Sequence, residues 1–258
     1  MRLTPGLFSV LMLSATVAPT WADVTLTQTT TAKIASGETI SRIKGHKMRT
    51  DQTLKNGTQM TTIMDLDSGK MITLDHKKRE ATVLDMSVVG ESLKKISDGD
   101  VKATLTPTTE KKDVAGYSCT IYTSAISVPM KLGEGMDMTM NMSGPVCLSK
   151  TAPGAEDFKQ FYLAAAEKGF FFGDPRQAKA APGQAKGMLT MYKQFAEAGV
   201  ALSMDTAIKI DGAGGMMQAM MSKIAGDTIH IEVTKIETGS IADDQFAPPA
   251  DYKVKTEK

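Results

Sequence analysis

The chain has 258 residues, of which 41% are hydrophobic, 23% charged and 5% aromatic, the balance of an ordinary globular protein. That balance excludes a disordered tail, a collagen-like fibre and a bundle of membrane-spanning helices. Thirty Lys and Arg against 29 Asp and Glu leave a formal charge of +1, so no strong field exists to gather nucleic acid or an anionic membrane.

Residues 1–22 read as a signal peptide. Arg2 supplies a positive start, Leu7 to Val17 is apolar, and Pro19-Thr20-Trp21-Ala22 ends in a small residue before Asp23. The apolar stretch falls short of the roughly 20 residues that span a bilayer, and no second run of that length follows. The expectation is cleavage near Ala22 and a periplasmic or secreted chain, residues 23–258, forming one domain without a transmembrane segment. Cleavage removes Arg2 and the single tryptophan, Trp21, leaving 29 basic and 29 acidic residues.

Two cysteines remain, Cys119 and Cys147. In an oxidising compartment an isolated pair most often forms a structural disulfide. A redox-active site wants Cys-x-x-Cys, which does not occur; a pair of free thiols is the alternative.

From Asp23 to Leu148 the pattern is period-2 alternation broken by turn residues, as in antiparallel strands with one buried face. Val24, Leu26, Ala32 and Ile34 fall on one face of a Thr-rich first strand. Asn56-Gly57 and Asp67-Ser68-Gly69 read as hairpin turns, with Met60, Thr62, Met64 and Leu66 alternating between them. Met71 to Asp75 and Arg79 to Met86 are further strands; Val89, Leu93 and Ile96 then lie at helical spacing. Val101 to Leu105 and Tyr117 to Ser127 resume the sheet.

The period changes after Pro153. Phe158, Phe161, Tyr162 and Ala165 repeat at i, i+3, i+4, i+7 and Gly169 closes the helix; Met188, Met191, Tyr192 and Phe195 repeat the spacing up to Gly199. Helices are expected near Ala155 to Lys168 and Gln184 to Ala198, in a helical segment of about 155–199, each with an apolar stripe that must lie on the sheet. Alternation returns from Leu202 to Ile210 and from Ile229 to Val233; between them Met217, Met220, Met221 and Ile224 fit a short helix.

Gly45-His-Lys-Met-Arg-Thr-Asp51, Met64-Asp-Leu-Asp-Ser-Gly-Lys70 with Leu74-Asp75, Gly116-Tyr-Ser-Cys119, Ile236-Glu-Thr-Gly239 and Phe246-Ala-Pro-Pro-Ala-Asp-Tyr-Lys253 occur in this order. Together they resemble an uncharacterised exported bacterial family, a domain of unknown function (number 4412), similar to the LolA/LolB lipoprotein carriers. The resemblance implies an α+β fold that is mainly β: a curved antiparallel sheet forming an unclosed half-barrel, with helices on its concave side and an apolar cavity able to hold acyl chains. It brings no catalytic residues.

Methionine is abundant, 19 in the chain and 17 once Met1 and Met12 are removed. Met136, Met138, Met140 and Met142 alternate, which puts their thioethers on one strand face at roughly 6.6 Å intervals. Three readings compete: an ordinary half-buried strand, a deformable wall for a hydrophobic ligand, and soft thioether ligands for Cu(I).

The histidines are scattered. His230 alternates with Ile229 and Ile231 as on a solvated strand face, and His76 sits beside Lys77, Lys78 and Arg79 in a turn. Asp65-x-Asp67 lacks the later positions of a calcium loop and reads as part of a hairpin. No nucleophile elbow, phosphate loop or zinc signature occurs.

The expected function is therefore non-enzymatic, without cofactor: an exported carrier or sensor holding a lipid or other hydrophobic ligand against Met138, Met140, Leu202, Met204, Ile208, Ile229 and Ile231. The alternatives are a Cu(I)-binding protein using Met136, Met138, Met140 and Met142, or a structural envelope protein with a filled core. Another envelope protein is a further candidate partner; nucleic acid is not.

Overall fold

A computed structural model describes residues 23–33, 36–86, 102–131, 137–170, 182–212 and 228–257. The expected signal peptide, Ile34 and the helical spacings at Val89–Ile96 and Met217–Ile224 lie outside them. Among the described residues twelve strands form one unclosed sheet: β1 Val24–Thr31, β2 Gly37–Lys44, β3 Lys47–Leu54, β4 Gln59–Asp65, β5 Lys70–Asp75, β6 Glu80–Asp85, β7 Lys102–Val114, β8 Tyr117–Lys131, β9 Asp137–Ser149, β10 Val200–Asp211, β11 Thr228–Thr238 and β12 Lys253–Glu257. Their order is β12-β6-β5-β4-β3-β2-β1-β11-β10-β9-β8-β7. Among the described residues two helices, α1 Ala155–Lys168 and α2 Pro182–Ala198, pack against one face, so the fold is α+β and mostly β, as expected.

Side-chain parity divides the sheet's two faces. On the inner face one row runs Val24, Ile43, Met48, Met64, Met71, Leu84 across β1 to β6, each residue directly opposite the next. This row joins Val200, Leu202 and Val233 from the far side of β1 in a single buried cluster around Phe161 of α1, whose ring is fully buried. Strands on both sides of β1 thus close on the same helix. The stripe Phe158, Phe161, Ala165 is the one that helical spacing predicts, and Gly169 ends α1 in the left-handed conformation. Met60, by contrast, lies beyond this cover and is 53% exposed.

The hairpins sit where their turn residues place them. Asp65 Oδ1 accepts the backbone N–H groups of Asp67 and Ser68 at 3.0 Å each, the ordinary work of an Asp in a turn.

A second, smaller core occupies the outer face. Ile63, Leu74 and Ala81 are roofed there by Phe246, which ends a 3-10 turn over Asp243–Phe246, with Ile241 and Tyr252 alongside. The chain then adds β12 to the edge of β6 in parallel, whereas the other strand pairs described are antiparallel. Neither this roofing segment nor β12 is legible in the alternation, because β12 is exposed throughout and has no buried face to signal.

Beside this core runs a polar chain. Asp51 accepts Arg49 Nε at 2.9 Å and Thr61 Oγ1 at 2.6 Å; Thr61 Oγ1 meets His76 Nε2 at 2.8 Å, and His76 Nδ1 meets the Tyr252 hydroxyl at 2.8 Å. Arg42 also pairs with Asp51, and Arg49 Nη1 donates to the carbonyl of Gln245. Burial alone would raise the Asp51 carboxyl, but the Arg49 and Thr61 hydrogen bonds and the charges of Arg49 and Arg42 outweigh it and hold the pKa below its ordinary 3.8. A lowered pKa means that this stabilisation is present above 3.8 and is lost as pH falls through the folded-state value. Asp51→Asn should therefore lower the urea midpoint at neutral pH and flatten its decline in acid.

Cys119 and Cys147 are bridged, with Cα atoms 5.4 Å apart. Closing a loop of 28 residues corresponds to roughly 3.5 kcal/mol of stabilisation on the chain-entropy model. Cys119→Ser with Cys147→Ser should lower the unfolding free energy by about that amount in denaturant titrations, with no response to added reductant.

Candidate functional site

Beyond the residues that join the α1 core, the inner face of β8 to β10 is crossed by α2. Two bulky rows face the helix: Ile126, Met142 and Ile208 in one, Val146, Met204 and Ile231 in the other, each residue opposite the next. Between them lies a row that is small over β8 to β10, at Ser124, Gly144 and Thr206, and ends in Ile229 on β11. Ser124 pairs with Gly144 and Thr206 with Ile229, and a Cβ at Gly144 would come within 2.0 Å of the Asp205 carbonyl oxygen. No side chain larger than hydrogen fits there without moving β10.

The low middle row leaves a hollow of about 320 Å³ under α2. Ile126, Met142, Met204, Ile208, Ile229 and Ile231 wall it, Ser124 and Thr206 lie among them, and Met188, Met191, Tyr192 and Phe195 of α2 form the roof. The lining is almost wholly hydrocarbon and thioether. On the floor, Ser124 Oγ donates to the Gly144 carbonyl at 2.9 Å and so turns its proton away from the hollow. Gln194 Nε2 donates to the carbonyl of Ala103 at 3.1 Å and ties α2 to β7.

Of the residues singled out from sequence, Met204, Ile208, Ile229 and Ile231 come together in this hollow. Leu202 does not line it. It is fully buried in the α1 core, at an irregularity in the β9–β10 pairing between Ala201 and Ser203 that strict alternation cannot foresee. Met138 and Met140 share the face of Met142, as alternation requires, but lie farther along β9: Met138 is buried opposite Met130, and Met140 sits between Val128 and Ile210. Met142 is the methionine of that strand at the hollow, and Met136 lies outside the described residues. The roof is legible as a helical stripe but not as part of a site, because a stripe does not tell which strands it will cover.

A second cavity, about 220 Å³, lies between α1 and the inner face of β1–β3. Leu26, Met48, Phe158, Tyr162, Val200 and Phe195 contribute apolar surface; Gln28, Thr39, Ser41 and Thr50 contribute polar groups. Phe195 borders both cavities, and the Tyr162 and Tyr192 rings beside it are 5.3 Å apart. Burial pushes the Tyr162 phenol up to about 12, so it remains neutral at any physiological pH.

His230 lies on the opposite face, its Nδ1 2.7 Å from Asp205 Oδ1, half-exposed as expected of a solvated strand. Among the described residues no group of three or more His, Cys, Asp or Glu is placed to hold a metal ion. Among them, too, no helix is long and apolar enough to cross a membrane.

Residues 24–143 match the model of the family described as a domain of unknown function (DUF4412), the family that the sequence fragments resemble. The match ends within β9, so α1, α2, β10, β11, the 3-10 turn at Asp243–Phe246 and β12 lie beyond it, as do the fragments at 236–239 and 246–253. Comparison with curated proteins finds no match. Among solved structures the chain is similar to one from the complex structure of Pseudomonas aeruginosa MucA/MucB, at 10% identity and a TM-score of 0.37, over 91% of this chain and 58% of that one. It is also similar to PNGF-II in two crystal forms, at 9% and 11% identity and TM-scores of 0.35 and 0.31. There the likeness covers 92% of this chain and 32% and 31% of those, so this chain spans less than two thirds of each of these structures.

Proposed function

We propose that the protein is an exported, non-enzymatic carrier or sensor that holds an acyl chain in the hollow under α2. The observation that carries this reading is the hollow itself: an apolar recess roofed by a helix and floored by a row of residues too small to fill it. Its size falls at the lower end of the roughly 300–1,000 Å³ common for small-molecule sites. Thioethers on both wall and roof, at Met142, Met188, Met191 and Met204, favour a ligand of variable shape, because unbranched side chains repack readily. Burying each methylene contributes about 0.8 kcal/mol, so eight would supply about 6 kcal/mol before the ligand's ordering is counted. The signal-peptide reading of residues 1–22 supports a site of action in the periplasm or outside the cell.

Native mass spectrometry of protein purified from the periplasm, followed by organic extraction, tests the proposal. An extractable acyl species, or stoichiometric uptake of a decanoyl probe after delipidation, supports it. A copper adduct lost when Met138, Met140 and Met142 become Leu would replace it with thioether coordination. A folded protein that carries and takes up nothing would leave a packed envelope protein.

A further inference from the structure

The second cavity carries polar side chains on its β1–β3 wall. The side chains of Gln28, Thr39, Ser41 and Thr50 line it, and none makes a hydrogen bond to protein among the described residues. Ser41 is only 9% exposed, and a hydroxyl set among apolar walls gains from a ligand that offers it a hydrogen bond. Register explains the placement. Behind the apolar row that starts at Val24, the next inner row runs Leu26, Ser41, Thr50, Thr62, Thr73, Thr82, and Gln28 and Thr39 pair one step farther on.

We infer that this cavity receives the uncharged, hydrogen-bonding head of the ligand whose chain fills the hollow, an inference that rests on the acyl-chain reading. Three features define that head. It is uncharged, since among the described residues no carboxylate, ammonium, guanidinium or imidazole lines the cavity and an ion would lose its hydration without a countercharge. It both donates and accepts, because hydroxyls and a carboxamide offer both functions. It is small, for about 220 Å³ compares with roughly 30 Å³ per water molecule. A glyceryl ester meets all three. Phe195 is the partition common to both cavities, so one molecule occupies both once that ring turns aside.

The test compares three probes with one chain, 1-decanoylglycerol, decanoate and methyl decanoate, binding to the delipidated mature protein at neutral pH. The glyceryl ester should bind about tenfold more tightly than either of the others, equivalent to about 1.4 kcal/mol. Thr39→Val with Thr50→Val removes two hydroxyls at nearly constant shape on strands that favour β-branched residues. This variant should lose the preference while binding methyl decanoate as before. Equal affinity of the wild-type protein for the glyceryl and methyl esters, or a preference that survives in the double variant, overturns the head site and leaves the acyl-chain reading intact. Failure of all three probes to bind folded protein overturns both.

Discussion

Met204→Glu is expected to lower the affinity for a decanoyl chain by about a hundredfold or more, the penalty of setting an unpaired polar or charged group against the ligand. Met204 lies between Val146 and Ile231 on the wall of the hollow, and among the described residues no basic side chain lines the hollow to receive a carboxylate there. Displacement of a fluorescent fatty acid measures the effect, with circular dichroism as the check on folding. Met60→Glu is the matched control: the same substitution on a side chain already 53% exposed should change nothing. Thr206→Leu separates charge from space, since it raises the low middle row without adding a polar group and should weaken binding by filling the recess. Unaltered binding in both Met204→Glu and Thr206→Leu would place the chain elsewhere in the molecule.

How far the sequence leads to this site follows from the two periods it contains. Alternation reports which residues of a strand share a face, and it places Met204, Ile208, Ile229 and Ile231 on one wall. It does not report which strands become neighbours, so the opposition of Met142 to both Ile126 and Ile208 is not legible, and Met138 and Met140 stand out in the sequence although their neighbour is the one at the hollow. Nor does it report irregular pairing, which gives Leu202 to the α1 core. The hollow depends on residues that look uninformative in a sequence. Ser124, Gly144 and Thr206 matter because they are small beside large neighbours, a property of the assembled sheet. The outer polar chain is hidden differently: its members Arg49, Asp51, Thr61, His76 and Tyr252 are scattered over the chain and converge only once the C-terminal segment folds back. Fragments that carry the family resemblance contain Arg49, Asp51 and Tyr252, so the motif is visible while its physical role in holding that segment is not.

Gly154→Ala is expected to destabilise the protein far more than the addition of one methyl group ordinarily would. Gly154 precedes α1 at φ 75°, in the left-handed region, where an L side chain meets its own carbonyl at a cost of about 1–2 kcal/mol. Space adds to this. A Cβ at Gly154 would lie 2.5 Å from Cγ2 and 2.7 Å from Cβ of Val24, a fully buried residue that starts the inner row of β1 to β6. Val24 cannot turn away freely, since it is held opposite both Ile43 and Thr238, so either α1 or β1 must shift, and overpacking of this kind typically costs about 1–3 kcal/mol. The two effects sum to roughly 2–5 kcal/mol, which for a chain of this size lowers the melting temperature by about 5–15 °C. Gly69→Ala isolates the first effect: its φ of 70° is nearly the same, but nothing lies within 4 Å of the added carbon. Thermal unfolding of both variants should therefore show Gly69→Ala falling by the conformational cost alone and Gly154→Ala by distinctly more. Equal losses would mean that Val24 yields to the new methyl group, and that the α1 entry is less tightly fixed on β1 than its burial implies.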